Sequence, residues 1–215
     1  MLEVIGISAI AYLIVGYLIP ILWRSKSLMF PILGIPNKDG EPGLIGISGK
    51  AGVGKDTLGK YLCDEYQCLH YYFAKPLKEG AKIMFALTEE QIADKETIIN
   101  PWGMSPRKIY QLLGTEVGRG IDLNIWIKNA EIFVKKSLGR TVIITDVRFD
   151  NEAEWIHSRG GTIINIVRDK DDIAENQHSS EGGLKKENID VTVYNNGTKE
   201  EMYKQLYGWY YERNI

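Results

Sequence analysis

Short apolar runs recur along the chain and are separated by stretches of helical periodicity. Leu44 to Ser48, Leu69 to Phe73, Thr141 to Thr145, Thr162 to Val167 and Val191 to Tyr194 are β-prone and short enough for buried strands. Between them, Leu58, Tyr61 and Leu62 share one helical face, as do Leu77, Ala81, Met84 and Phe85 within a helix expected over residues 76–87. Another helix opens at Ser105-Pro106. The last opens at Thr198, where Glu201 three residues on completes a capping box. Strands alternating with helices predict a parallel sheet with helices on both faces, a three-layer α/β domain.

One apolar stretch is of a different kind. Val4 to Trp23 carries no charge, and at about 1.5 Å per residue it reaches the roughly 30 Å of a hydrocarbon core. It predicts a transmembrane anchor over residues 1–24. The basic Arg24 and Lys26 follow the run instead of preceding it, which argues against a cleaved leader and places the rest on the cytoplasmic side. A buried core element, or an upstream extension from a start placed too early, would explain the same run. Pro31, Pro36 and Pro42 with Gly34 and Gly40 mark residues 25–43 as a linker, so the globular domain is expected over 44–215.

Composition narrows the class. The chain of 215 residues is 44% hydrophobic and 25% charged with a net charge of -2, ordinary for one soluble domain. Its Lys and Arg residues form no basic block, which argues against a nucleic-acid polymer as partner. Cys63 and Cys68 are too few for a structural zinc site and read as inert, reduced thiols.

The strongest chemical signal follows the first strand. Gly49-Lys50-Ala51-Gly52-Val53-Gly54-Lys55-Asp56-Thr57 precedes a helical pattern, the order of a phosphate-binding P-loop (Walker A). Glycines let backbone N–H groups turn inward around phosphates, the helix N-terminus adds partial positive charge, and Lys55 reaches the outer phosphates. Asp56 stands where Ser or Thr usually follows the lysine. The magnesium contact then comes from the Thr57 hydroxyl or from a water-mediated Asp56 carboxylate.

Other polar residues are candidates for a second substrate and for catalysis. On the helix opening at Ser105, a turn of 100° per residue puts Ile109, Leu112, Leu113 and Glu116 on one side and Arg107, Gln111 and Thr115 on the other. The polar side suits a ligand, although a solvated surface face shows the same pattern. Gly114 and Gly118 beside Arg119 are expected to leave room for a phosphate. The run ending at Thr145 delivers Asp146 and Arg148 to the carboxyl edge of the sheet, where α/β folds bind ligands. Asp146 is expected near magnesium or its waters, and Arg148 near the transferring phosphoryl oxygens. Arg168 then opens a polar stretch through Asp169, Lys170, His178, Ser179, Ser180, Glu181, Gly182, Gly183 and Lys185, long enough to act as a lid.

Taken together, these segments resemble the deoxynucleoside monophosphate kinases of tailed bacteriophages. The resemblance rests on Gly-Lys-Asp-Thr at 54–57, Phe-Ala-Lys-Pro-Leu-Lys at 73–78, Gln-Leu-Leu-Gly-Thr-Glu at 111–116 with Arg119, Thr-Asp-Val-Arg-Phe at 145–149 and His-Ser-Ser-Glu at 178–181. It covers about residues 44–207. It implies a P-loop kinase fold with strand order 2-3-1-4-5, and transfer of the ATP γ-phosphoryl group to a deoxynucleoside 5'-monophosphate with magnesium. Carried over, Gly49 to Thr57 would cradle ATP, and Lys75, Arg107, Gln111 and Arg119 would approach the monophosphate. Lys55, Asp146, Arg148 and Arg168 would surround the transferring group, with Asp56, Thr57 and Asp146 toward the metal. Such an enzyme would work in the cytoplasm, that of the host if the chain is viral. Adenylate-kinase-like lids tend to offer arginines where this stretch offers lysines, and a membrane segment is foreign to the soluble family.

Two other functions compete. Another small-molecule P-loop kinase, acting on phosphomevalonate or dephospho-coenzyme A, would use the same cradle. A membrane-tethered nucleotide switch is the other, but no Asn-Lys-x-Asp guanine-reading element follows the P-loop, and Val147 stands after Asp146 where many motor ATPases carry a glutamate.

Overall fold

The computed structural model describes residues 43–168 and 183–213. The apolar run at 4–23, the linker through residue 42 and the segment 169–182, with His178 to Glu181, lie outside the described residues. Among the described residues no helix is long and apolar enough to cross a membrane.

Strands β1 (Leu44–Ser48), β2 (Leu69–Tyr71), β3 (Val142–Ile144), β4 (Thr162–Val167) and β5 (Val191–Tyr194) form one sheet. Its order is β2-β3-β1-β4-β5, parallel throughout, as the resemblance implies. β1 is central, with Leu44 opposite Val142 on one side and Ile45 opposite Thr162 on the other. All five of its residues are buried, which is why it reads as an unbroken apolar run.

The helices are α1 (Lys55–Tyr66), α2 (Lys75–Met84), α3 (Glu89–Ala93), α4 (Pro106–Gln111), α5 (Ile125–Lys135), α6 (Asp150–Ser158) and α7 (Lys199–Arg213). Alternation along the strands divides the core. Ile47, Ile143, Ile164 and Ile166 pack with Leu58 and Leu62 of α1 and Met202 and Leu206 of α7. Leu44, Val142, Ile144 and Ile163 pack with Ile127 and Val134 of α5 and Ile156 of α6. Each fully buried aliphatic side chain contributes about 1.5–3 kcal/mol relative to exposure, so these two interfaces fix the strand ends on which the site is built. Thr198 and Glu201 form the expected box: Thr198 N–H donates to Glu201 Oε2 at 2.8 Å and Glu201 N–H to Thr198 Oγ1 at 3.2 Å.

A third cluster, with Ala81, Leu87, Ile99 and Ile109, holds α2, α3 and α4 together beside the sheet. Here three expectations change. Met84 is 64% exposed, because α2 ends there and the chain turns through Ala86 at φ 49°. Beyond Gln111 the helix widens into π geometry from Leu112 to Arg119. That changes the angular step per residue, and Glu116 is exposed instead of lying on the side of Ile109. Gly114 and Gly118 are buried, and their function is packing. A β-carbon at Gly114 would meet Leu77 Cδ2 at 2.9 Å, and one at Gly118 would meet Trp126 Cζ2 at 2.5 Å, so the space expected for a phosphate is filled by side chains. Burial pushes the Cys63 and Cys68 thiols up to about 11, in keeping with inert cysteines.

Candidate active site

The P-loop connects the end of β1 to α1. Gly49, Gly52 and Gly54 have φ values of 139°, 74° and 109°, backbone that residues with a β-carbon rarely adopt. A β-carbon at Gly49 would also lie 2.4 Å from the Ile166 carbonyl oxygen, so the loop starts hard against β4. From the first turn of α1, Lys55 Nζ donates to the Gly49 and Lys50 carbonyls at 2.6 and 2.7 Å. The ammonium therefore spans the loop, where it and the helix N-terminus together favour an anion.

Asp56 and Thr57 are exposed in the same first turn. Thr145 Oγ1 donates to Asp56 Oδ1 at 3.0 Å, and His70 Nε2 lies 2.9 Å from the same hydroxyl. Since the hydroxyl proton goes to Asp56, the histidine nitrogen is the donor in the second contact. A side chain buried at the end of β3 thus sets the direction of the P-loop carboxylate.

Asp146, the next residue, receives the Phe73 amide at 2.6 Å on Oδ1 and the Ala74 amide at 3.0 Å on Oδ2. These contacts draw Phe73 out of the ladder, so β2 stops at Tyr71, short of its expected end. Burial raises the Asp146 carboxyl above its ordinary value, with the two amides, Arg148 and Lys78 opposing. Each oxygen keeps acceptor capacity beyond its one amide. Asp56, Thr57 and Asp146 make an oxygen-only donor set. That suits magnesium, which takes one or two carboxylates and completes its shell with water and phosphate oxygens.

The turn after Asp146 depends on a residue that sequence reasoning missed. Glu152 is 2% exposed, and its Oε2 accepts the Arg148 and Phe149 amides at 2.9 and 3.2 Å. Burial pushes its carboxyl up to about 7, the Arg148 amide pulls it back, and the Asp146 charge adds to the rise. A glutamate in the first turn of a helix was the available signal. The Arg148 side chain is exposed above this turn. Arg119 lies beneath it: its guanidinium carbon sits 3.7 Å from the Phe149 ring centroid, Nη2 donates to Asn151 Oδ1 at 2.9 Å, and Nη1 is 3.4 Å from Glu152 Oε1.

The lysines of the 73–78 motif diverge. Lys75 Nζ stands 5.7 Å from the Phe133 ring centroid on α5. Lys78 Nζ stands 4.8 Å from the Tyr72 ring centroid. Burial lowers the Lys78 ammonium first and Lys95 next, Asp146 and Asp56 pull it up, and Arg148 lowers it. Lys78 therefore shares one electrostatic neighbourhood with Asp56, Asp146 and Arg148, and it too was missed. Gln111 is partly exposed at the end of α4, while Arg107 Nε donates to Glu96 Oε1 at 2.6 Å in an exposed ion pair. At the far side of the P-loop, Arg168 Nε donates to the Asn195 carbonyl at 3.1 Å, and Asn195 Nδ2 donates to the Val53 carbonyl at 2.8 Å. The structure thus gathers Lys55, Asp56, Asp146 and Lys78 with the Arg148 turn. It holds Arg168 to the P-loop through Asn195, and it engages Arg107 and Arg119 elsewhere.

Residues 79–206 match the model of the deoxynucleotide monophosphate kinase family. The chain belongs to that family. A deoxynucleotide monophosphate kinase, so named provisionally, of Acanthamoeba polyphaga mimivirus is 37% identical over 182 residues, spanning 76% of this chain and 93% of its own. The deoxynucleoside-5'-monophosphate kinase of Escherichia phage T5 is 26% identical, spanning 74% of this chain and 94% of its own. Among solved structures, TT1252 from Thermus thermophilus covers 81% of this chain and 99% of its own at 13% identity and a TM-score of 0.47, a distant likeness on which nothing about the site depends. The matched region of the family model includes the Asp146–Arg148 strand end, Arg168 and Asn195, and it begins after the P-loop, so the family and the phosphate cradle are supported by different parts of the chain.

Proposed function

We propose that this chain transfers the γ-phosphoryl group of ATP to a deoxynucleoside 5'-monophosphate, giving ADP and the deoxynucleoside diphosphate. The observation that carries the reading is the neighbourhood of Asp56, Asp146, Lys78 and Arg148 beside the P-loop. It joins two carboxylates suited to a cation with two cations suited to phosphoryl oxygens. Family membership and the names of the viral relatives support the choice of acceptor.

In this reading an oxygen of the acceptor phosphate forms a bond to the γ-phosphorus as the bond to the β,γ-bridging oxygen breaks, and the electron pair leaves with ADP. The nucleophile is already ionised, so positioning and charge stabilisation supply the catalysis and no strong base is required. Gly49 to Thr57 hold the donor, with Lys55 on its outer phosphates. Arg148 and Arg168 neutralise the transferring oxygens. Lys78 and Gln111 approach the acceptor, with Lys75 in a lesser part because its ammonium turns toward Phe133. Arg107 joins them by exchanging an exposed ion pair that is worth about 1 kcal/mol or less, and Arg119 supports the turn that presents Arg148. Magnesium, held by Asp56, Thr57 and Asp146, would supply neutralisation of phosphate charge. Residues 44–215 are the catalytic domain of this reading, 25–43 a linker and 1–24 an anchor that would hold the enzyme at the cytoplasmic face of a membrane.

The test follows ADP release by the purified chain with ATP, magnesium and each of the four deoxynucleoside monophosphates, alongside mevalonate 5-phosphate and dephospho-coenzyme A. At least one deoxynucleoside monophosphate should drive release, and Lys55→Ala should lower it by about a hundredfold or more. Turnover of the non-nucleotide acceptors alone would sink the proposal, and tight ATP binding with no acceptor turned over would favour the tethered switch.

A further inference from the structure

The mechanism above leaves Asn195 without a role, although it makes some of the longest-range polar contacts of the site. It follows the last residue of β5, and its backbone N–H donates to the carbonyl of Val167, the last residue of β4, at 2.8 Å, extending the β4–β5 ladder one residue past β5. This places the residue rigidly at the carboxyl edge. Its side chain then reaches a loop 142 residues away in sequence, donating from Nδ2 to the Val53 carbonyl at 2.8 Å. Its own carbonyl accepts Arg168 Nε at 3.1 Å.

The Val53 contact has a directional consequence. A trans peptide is planar, with its C=O and N–H on opposite sides. Holding the Val53 carbonyl toward Asn195 therefore turns the Gly54 N–H of the same peptide away from Asn195, toward the opposite side of the loop. The side chain also packs on the Gly54 α-carbon: a β-carbon there would lie 2.7 Å from Asn195 Nδ2. Gly54 immediately precedes Lys55, so the peptide being held is the one that leads into the phosphate-binding lysine. On the other side, Arg168 is bonded through Nε, the nitrogen nearest its stem. Its terminal Nη groups make no hydrogen bond among the described residues.

We infer that Asn195 is a positioning residue that couples the P-loop to Arg168, setting the donor cradle and the strand-end guanidinium in one fixed relation. The inference rests on the phosphotransfer reading above. The side chain holds the Val53 carbonyl while the backbone carbonyl holds Arg168. Replacing the side chain therefore leaves Arg168 tied and frees the loop from its fixed relation to it, which acts on the donor and its alignment for transfer and leaves acceptor binding alone.

The experiment uses the full chain with Asn195→Ala, Asn195→Asp and Asn195→Ser, each alone and the first combined with Arg168→Ala. Asn195→Asp keeps the shape and sets a carboxylate oxygen against the Val53 carbonyl. The expected result for Asn195→Ala and Asn195→Asp is a rise in KM for ATP of about fivefold to tenfold with a fall in kcat of similar size, and KM for the monophosphate within twofold of wild type. Asn195→Ser, which retains a donor on a shorter arm, should recover part of the loss. The double variant should be no slower in kcat than Arg168→Ala alone, since the side-chain tie matters to transfer only by aligning the loop with that guanidinium. Wild-type kinetics in Asn195→Ala and Asn195→Asp, a change confined to KM for the monophosphate, or kcat losses that multiply in the double variant would overturn the proposal. So would a loss of activity that tracks a loss of fold by circular dichroism across the series, which assigns Asn195 to stability alone. Calorimetric titration with ATP separates this result from the fate of the proposed reaction. A wild-type chain inactive on every monophosphate refutes the reaction, and weaker ATP binding by Asn195→Ala would still support the tie to the P-loop.

Discussion

Replacing Glu152 by Gln isolates the consequence of a carboxyl held at 2% exposure beneath the Arg148–Phe149 turn. The wild-type group is pushed from 4.5 to about 7, mainly by burial, so the folded chain binds this proton more tightly than the unfolded chain. Linkage then gives the sign. Where the native state holds more protons, stability falls as pH rises. The contribution is most favourable below the unfolded value, declines through the window from 4.5 to 7, and is flat above it. Between pH 5 and pH 8 the decline amounts to about 2–3 kcal/mol, from 1.36 kcal/mol per unit of displacement. Glutamine keeps the shape and an oxygen for the Arg148 and Phe149 amides but does not titrate. Urea unfolding of both proteins at the two pH values reads the effect. Asp146, also raised by burial, is present in both and largely cancels. The stability of wild type minus that of Glu152→Gln should drop by about 2–3 kcal/mol from pH 5 to pH 8, a midpoint shift of roughly 1 M at a slope of about 2 kcal/mol per M. A difference that is constant with pH, or that grows toward pH 8, would refute the reasoning.

Two further predictions concern binding and packing. Lys78→Ala should raise KM for the monophosphate by about tenfold to a hundredfold, the loss of one charged hydrogen bond, with Lys75→Ala changing it by less than about threefold; steady-state kinetics showing equal or reversed effects would exclude the assignment of Lys78. Gly118→Ala forces a methyl group to within 2.5 Å of Trp126 and should cost about 1–3 kcal/mol, seen as a lower thermal midpoint. Gly120→Ala, with nothing within 4 Å of its β-carbon, should be neutral or stabilising, and equal midpoints for the two variants would contradict the packing role.

The features legible in the sequence were those set by neighbours along the chain. The P-loop is a local pattern of glycines around a lysine, the buried strands are short apolar runs, and the α7 cap lies within four residues. The order of the strands came from resemblance, because residue spacing does not say which strand lies beside which. What escaped were pairings made by the fold: Thr145 to Asp56 across 89 residues, Asn195 to Val53 across 142, and Arg119 to Glu152 across 33. A helical wheel also assumes one angular step throughout. From Leu112 to Arg119 that assumption fails, which misplaced Glu116 and left the closeness of Gly118 to Trp126 unseen. Lys78 was quoted within its motif but passed over in favour of Lys75. Only the positions of Phe133 and Tyr72 show that the two side chains part company.

The grip of Asp146 on the Phe73 and Ala74 amides also has a mechanical side. It rivets the root of α2 to the sheet, so any swing of the α2–α4 block over a ligand has its pivot at or beyond Lys75. Along a helix rising about 1.5 Å per residue, Lys78 sits roughly 4.5 Å from that pivot and Met84 roughly 14 Å. A rotation that carries Met84 through a given arc moves Lys78 about one third as far. The end of the helix proposed to meet a phosphate therefore moves much less than its outer end, so in that reading the charge geometry changes little as the block adjusts to an acceptor.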